Sequence, residues 1–251
     1  MNVTDIISET RNGVLHLRLN RPGKKNALTG AMYHDLAEGL ALAGRDDAIR
    51  AVVISAEGSD FCAGNDIFDF AQAWPEAQAA DLEDMPVFRF LKSLTFFAKP
   101  LIAAVQGQAV GVGVTLLLHC DAVVAADDVR LSLPFMKLGL VPEAGSTLML
   151  PQRIGHARAF AWMALGEAIG AEQALSLGLV NRVVAPGELA AAADAMAETI
   201  ARLSPAAARE TKALMRDPEA LWKVVQAEGA VFRRLLTSPE AMAAFSAFLR
   251  K

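Results

Sequence analysis

Residues 99–155 read KPLIAAVQGQAVGVGVTLLLHCDAVVAADDVRLSLPFMKLGLVPEAGSTLMLPQRIG, and the fold of the chain turns on this stretch. Leu101 to Val105 is a short apolar run after Pro100, closed by the turn residues Gln106 and Gly107, and it reads as a buried strand. Gly111 and Gly113 then flank Val112, and an apolar helical run from Val114 to Leu118 is expected to follow. The first backbone N–H groups of such a helix have no intrahelical partner and lie at the positive end of its dipole, which suits an oxyanion. Further on, a single acid, Glu143, stands just before a second helix expected from Gly145.

A turn of the same kind lies upstream, where DFCAGNDI (Asp60 to Ile67) follows the strand-like run Ala51 to Ser55. Gly64 lets the backbone bend sharply, so the N–H of Asn65 can point into a cavity. Donors from two separate loops can then share one carbonyl oxygen. FCAGND, KPLIAAVQGQAVG, CDAVVAADD and LGLVPEAGS together resemble the crotonase (enoyl-CoA hydratase/isomerase) superfamily over nearly the whole chain.

The resemblance carries subfamily content. Hydratases that resemble this chain carry two glutamates, one in a glycine-rich segment and one after a proline in a later turn. Thr115 and Phe135, the latter after Pro134, occupy those positions here, and neither can transfer a proton as the reaction requires. An acid stands instead at Glu143, in VPEAGS, where the hydratases have glycine; this pattern, the VTLLL run and the GND triplet look like the Δ3,Δ2-enoyl-CoA isomerase branch. What the resemblance implies is an α/β chain: a ββα spiral core with the CoA and active sites over residues 1–185, and a helical trimerisation region over residues 186–251. It implies Glu143 as base and the backbone N–H groups of Asn65 and Val112 as oxyanion donors. Lys24 and Lys25 would meet the CoA phosphates, and Ala63 and Ile67 the adenine, with Asn65, Asp66 and Val112 completing the CoA contacts. No cofactor is expected beyond the CoA moiety of an acyl-CoA substrate, and the expected assembly is a homotrimer or a dimer of trimers.

Composition is consistent with this reading. The 251 residues are 53% hydrophobic and 21% charged, which supports a large buried core rather than disorder. A net charge of −4 argues against a nucleic-acid surface as the main function. Cys62 and Cys120 stand far apart, which fits two reduced core thiols, and the four histidines His16, His34, His119 and His156 show no metal spacing. A Cys62 nucleophile with His119 as base lacks an orienting third group. No apolar run approaches the roughly 18 to 20 residues of a membrane span. The start has no basic segment before an apolar stretch, and the chain ends in FLRK rather than a peroxisomal address, so the cytoplasm is the expected location.

In chain order, Val14 to Leu19 alternates and predicts a half-buried strand, and Thr29 predicts the N-cap of a helix beginning near Ala31. Lys24 and Lys25 fall on the turn between them. Residues 68–98 show little strand character, broken by Trp74-Pro75 and Met85-Pro86, as expected of a lid or of a plain surface excursion. After Val184 the chain reads as alanine-rich helices bounded by Pro186, Pro205 and Pro218, whose apolar stripes need a partner surface. Glu143 as a base needs apolar surroundings to raise its pKa, and Phe135, Leu138, Leu140 and Val141 are expected to supply them. The structural alternative places the Glu143 carboxylate near the N–H groups of the following helix. Asp66 reads as a loop or N-cap residue. Hydration is the rival reaction, and a catalytically silent acyl-CoA-binding protein is the reading from another class.

Overall fold

The computed structural model describes residues 4–69 and 81–248. Its strands are β1 (Ile6–Arg11), β2 (Val14–Leu19), β3 (Ala51–Ala56), β4 (Leu101–Val105), β5 (Gln108–Val110), β6 (Ala122–Ala126), β7 (Arg130–Ser132), β8 (Ile169–Gly170) and β9 (Arg182–Val184). The helices are α1 (Gly30–Arg45), α2 (Pro86–Phe96), α3 (Val112–Thr115), α4 (Ser146–Ile154) and α5 (His156–Leu165), followed by α6 (Ala171–Ser176), α7 (Leu189–Ala201), α8 (Pro205–Met215), α9 (Pro218–Leu236) and α10 (Pro239–Phe248).

A larger sheet has the order β1-β2-β3-β4-β6-β9 and a smaller one the order β5-β7-β8. In the larger, β1 is antiparallel to β2 and the remaining pairs are parallel. Because β4 pairs with β6 while β5 pairs with β7, each pass of the chain lays one strand in each sheet, and the backbone winds as a spiral. A parallel bridge between Cys62 and Ala109 adds the 61–63 segment beside β5, so the spiral extends back one pass.

The half-buried strand expected at residues 14–19 is instead buried along nearly its whole length. Leu15, Leu17 and Leu19 enter the main core, while Val14 faces the other way under α7 with Ala51, Val53, Ile102 and Ala197. Leu189 and Ala193 of α7 likewise close over Ala104, Val124 and Ala126. Parallel strands covered on both faces carry apolar residues on both, and alternation loses its meaning there. His16 survives on this second face because Arg11 Nε donates to its Nε2 at 3.2 Å and its Nδ1 lies 3.6 Å from Asp194.

Local signals set the helix boundaries well. Thr29 Oγ1 accepts from the Met32 N–H at 3.2 Å, capping α1. Pro86, Pro205 and Pro218 each open a helix, with Asp217 accepting from the Ala220 N–H at 2.9 Å. The run expected to be helical from Val114 to Leu118 begins two residues earlier and is a single α-turn that tightens into a 3₁₀ turn over Leu116–His119. Arg153 donates to the Leu118 carbonyl at 2.7 Å and Arg216 to the His119 carbonyl at 2.8 Å, so the free carbonyls of this short element are met by cations. Trp74-Pro75 lies outside the described residues.

The helices after Val184 find much of their partner surface inside the chain. Helix α7 backs the larger sheet, and α9 packs on α2 and α4. Helix α8 differs: Leu214 is 88% exposed and Met215 79%. No helix among the described residues is long and apolar enough to cross a membrane.

Candidate active site

The two glycine turns meet because their backbones are stitched together. Cys62 N–H donates to the Gln108 carbonyl at 3.0 Å and Val110 N–H to the Cys62 carbonyl at 2.9 Å. A Cβ on Gly113 would lie 2.7 Å from the Cys62 carbonyl oxygen, so only glycine permits this approach. Gly64 has φ of +97°, and its absent Cβ leaves room for the Val110 carbonyl. On the other side of Asn65, Leu28 N–H donates to the Gly64 carbonyl and Asp66 N–H to the Leu28 carbonyl, both at 2.8 Å. That parallel bridge uses the groups flanking Asn65 and leaves the Asn65 N–H facing away from Leu28. Val112 is the first residue of α3, so its N–H has no intrahelical partner; its φ is not positive, as a β-branched residue requires. Asn65 and Val112 line one cavity, with Ala63, Ile67, Phe135, Leu138, Leu140, Phe232 and others.

Glu143 lines an adjoining apolar cavity, which also includes Asn65 and Phe232 in its wall. Its apolar walls come from Leu82, Met85, Val87, Phe88, Leu91, Val225 and Leu236. This corrects the expected source of the surroundings: α2, the turn before it, and α9 provide them, whereas Phe135, Leu138 and Leu140 line the Asn65–Val112 cavity. Thr115 Oγ1 donates to Glu143 Oε1 at 2.5 Å, and Oε2 is buried without a hydrogen-bond partner among the described residues. Burial pushes the Glu143 carboxyl up to about 8, against the lowering effect of the Thr115 hydrogen bond and with a smaller raising effect from the charge of Glu228. A buried carboxyl raised towards the neutral range, with one oxygen that meets no donor from the described residues, can take a proton from carbon and give it back.

The helix N-terminus that offered a structural role for Glu143 is occupied by another residue. Glu228 of α9 accepts from the Gly145 N–H at 2.6 Å and from the N–H and hydroxyl of Thr147 at 2.9 and 2.5 Å. Sequence reading missed Glu228; the available signal was a lone acid within the apolar spacing Leu221, Val225, Gly229, Phe232 and Leu236. It also missed Tyr33, buried on α1, whose hydroxyl donates to the Asn65 side-chain oxygen and so ties α1 to the donor loop.

The remaining expected residues fall as follows. Lys24 and Lys25 sit exposed at the end of the 3₁₀ turn Pro22–Lys24, and the Ala63 N–H donates to the Lys25 carbonyl at 2.9 Å, which fixes this basic turn beside the Asn65 loop. Lys25 Nζ lies 3.7 Å from Asp60. The Asp66 carboxylate is engaged by Arg21 Nη1 at 2.6 Å and by the N–H groups of Phe68 and Asp69, the loop role expected of it. Cys62 and Cys120 are free and buried, and burial pushes both thiols up to about 12. His119 donates from Nε2 to the Ala144 carbonyl at 2.8 Å, and burial pushes its imidazole down to about 4, so a Cys62–His119 pair is not poised for nucleophilic chemistry. No group of three or more His, Cys, Asp or Glu side chains that could hold a metal ion occurs among the described residues.

The sequence matches the family described as enoyl-CoA hydratase/isomerase over residues 9–251. The 1,2-epoxyphenylacetyl-CoA isomerase of Escherichia coli (strain K12) is 40% identical over 200 residues, 78% of this chain and 76% of that protein. The 2,3-dehydroadipyl-CoA hydratase of the same organism is 36% identical over 251 residues, 99% of this chain and 97% of its own length. A crystal structure of an enoyl-CoA hydratase/isomerase from Pseudoalteromonas atlantica T6c superposes with a TM-score of 0.91 at 39% identity, covering 98% of this chain and 97% of that one.

Proposed function

The chain belongs to the enoyl-CoA hydratase/isomerase family and has its crotonase fold, and from that premise we propose that it is a Δ3,Δ2-enoyl-CoA isomerase with Glu143 as its single base. The observation that carries this reading is the lone acid. Among the described residues lining the two adjoining cavities, Glu143 is the only carboxylate, and Thr115 and Phe135 stand where hydratases carry theirs.

In this reading the thioester carbonyl of a 3-enoyl-CoA accepts from the Asn65 and Val112 N–H groups. Glu143, ionised, takes a proton from C2, and the electron pair passes through the thioester to its oxygen as a dienolate. The two backbone donors hold that negative charge. Glu143 then returns the proton to C4, C2 and C3 become doubly bonded, and the base is regenerated. Lys24 and Lys25 would meet the CoA phosphates, and Ala63 and Ile67 the adenine; no cofactor beyond CoA is called for. Leu203, Leu214 and Met215, on and just before α8, are exposed by 57%, 88% and 79%, which supports a homotrimer or dimer of trimers built on residues 186–251.

The near full-length likeness to a hydratase keeps hydration as the second reading, in which Glu143 would have to activate water alone. Turnover assays with 3-enoyl-CoA and 2-enoyl-CoA substrates separate the two. The expected result is conversion of the 3-enoyl-CoA to the trans-2 isomer and little hydration, with Glu143→Gln losing about a hundred- to ten-thousandfold in kcat while binding of the CoA thioester persists. Efficient hydration by the unaltered protein would replace isomerisation with hydration. Binding without either conversion would move the silent acyl-CoA-binding reading ahead.

A further inference from the structure

Glu143 opens a turn that the backbone closes with a single hydrogen bond, from the Ser146 N–H to the Glu143 carbonyl at 3.2 Å. Ala144 and Gly145 both have positive φ, +62° and +73°. A non-glycine residue such as Ala144 is strained in that region, so contacts from outside secure the turn. Three do: Thr115 on the Glu143 carboxylate, His119 on the Ala144 carbonyl, and Glu228 on the Gly145 and Thr147 donors. Glu228 is 6% exposed and accepts three hydrogen bonds at the N-terminus of α4, where a negative charge is favoured.

We propose that Glu228 is a positioning residue for Glu143: reaching from α9 it clamps the Gly145–Thr147 backbone, sets where the Glu143 carboxylate stands and, in its ionised form, places a second negative charge behind it. The proposal rests on the reading of Glu143 as the base. Among the described residues, the groups facing Glu143 or its turn are few. Tyr33 comes from α1, Thr115 from α3, His119 from the 3₁₀ turn, and Glu228 from α9; Arg233 of α9 shares the cavity wall, while Val87, Phe88 and Leu91 of α2 are apolar. Burial moves Tyr33 well above, and His119 well below, the region where Glu143 titrates, so neither changes charge there. Burial also raises Glu228, and its three hydrogen bonds oppose that by favouring the ionised form. The three donors that meet its oxygens favour the ionised form, and when ionised Glu228 makes Glu143 a stronger base as well as a fixed one.

The test measures kcat and KM against pH for the unaltered protein, Glu228→Gln and Glu228→Asp. In parallel, the Glu143 carboxyl is titrated by ¹³C NMR, its signal identified as the one missing from Glu143→Gln. In Glu228→Gln the Glu143 midpoint should move down from about 8, and kcat on the high-pH plateau should fall on the order of a hundredfold with KM nearly unchanged, since a misplacement of about 1 Å costs that much. Glu228→Asp keeps the charge but shortens the reach, so the midpoint should stay while kcat falls by less. A purely structural Glu228 would lower both variants together and leave the midpoint fixed, which would overturn the proposal, as would an unchanged kcat. Should Glu228→Gln fail to fold, the Asp variant decides: a lower kcat with KM and melting temperature unchanged supports the proposal, and a kcat that is unchanged, or that falls only together with the melting temperature, overturns it. If the unaltered protein isomerises no 3-enoyl-CoA but the NMR midpoint still moves in Glu228→Gln, the clamp stands and the isomerase reading falls.

Discussion

The two halves of the site are built in opposite ways. The donor half, formed by the Gly64–Asn65 turn and the Gly111–Gly113 turn, is made of backbone, and its positions are fixed by adjacent strands and by the absence of a Cβ at Gly113. The acid half, Pro142 to Thr147, depends on side chains from afar. Its partners Thr115, His119 and Glu228 lie 28, 25 and 81 to 83 residues away from the groups they hold, and its apolar walls come from α2 and α9. Backbone donors cannot change charge, so the first half works alike at every pH. The second half is an ionisable group whose basicity is set by its packing.

That contrast is sharpest in Gly113→Ala. The added methyl would lie 2.7 Å from the Cys62 carbonyl oxygen and 2.9 Å from its Cβ, and must push the two donor turns apart. Losing one donor should lower kcat about a hundred- to a thousandfold at every pH, leaving the acid limb of the profile at about 8. A limb displaced by this substitution would show the halves to be coupled.

The acid half predicts a pH-dependent stability. Glu143 titrates at about 8 in the fold against an ordinary value of 4.5. Between those values the native state keeps a proton that the unfolded chain has released, so Glu143's contribution is present below about 4.5 and is lost as pH rises through about 8. Glu143→Gln lacks this loss. Its melting temperature should therefore gain on the unaltered protein by a few degrees from pH 5.5 to 8.5, at about 2 to 4 °C per kcal/mol for a chain of this size. A gap constant with pH in differential scanning calorimetry would mean that Glu143 titrates normally.

The smallest effect belongs to the basic turn beside the donor half. Lys25 is exposed and already near Asp60, so Lys25→Glu should weaken CoA-thioester binding about two- to fivefold at low salt and less at high salt. Equal affinities in calorimetry at low salt would remove Lys25 from the CoA site.

Much of this molecule was legible along the chain because the signals are local. The glycine turns, the cap at Thr29 and the helix-opening prolines Pro205 and Pro218 each act within a few residues, and each falls where the residues place it. Where reading went astray, the cause was a distant surface. Residues 14–19 look half-buried until α7 covers their second face. Leu138 and Leu140 look like the walls of the Glu143 pocket until α2 and α9 take that place.

The sequence by itself determined which groups are available: one acid in VPEAGS, two glycine turns that free an N–H each, and no glutamate at positions 115 and 135. Only the tertiary structure decided what surrounds that acid. From its neighbours alone Glu143 reads as a carboxylate at a helix N-terminus, and it is spared that role because Glu228, from a helix more than eighty residues on, has taken that place. A pKa and a free lone pair are set by whatever packs around a group, and that is fixed by the path of the whole chain.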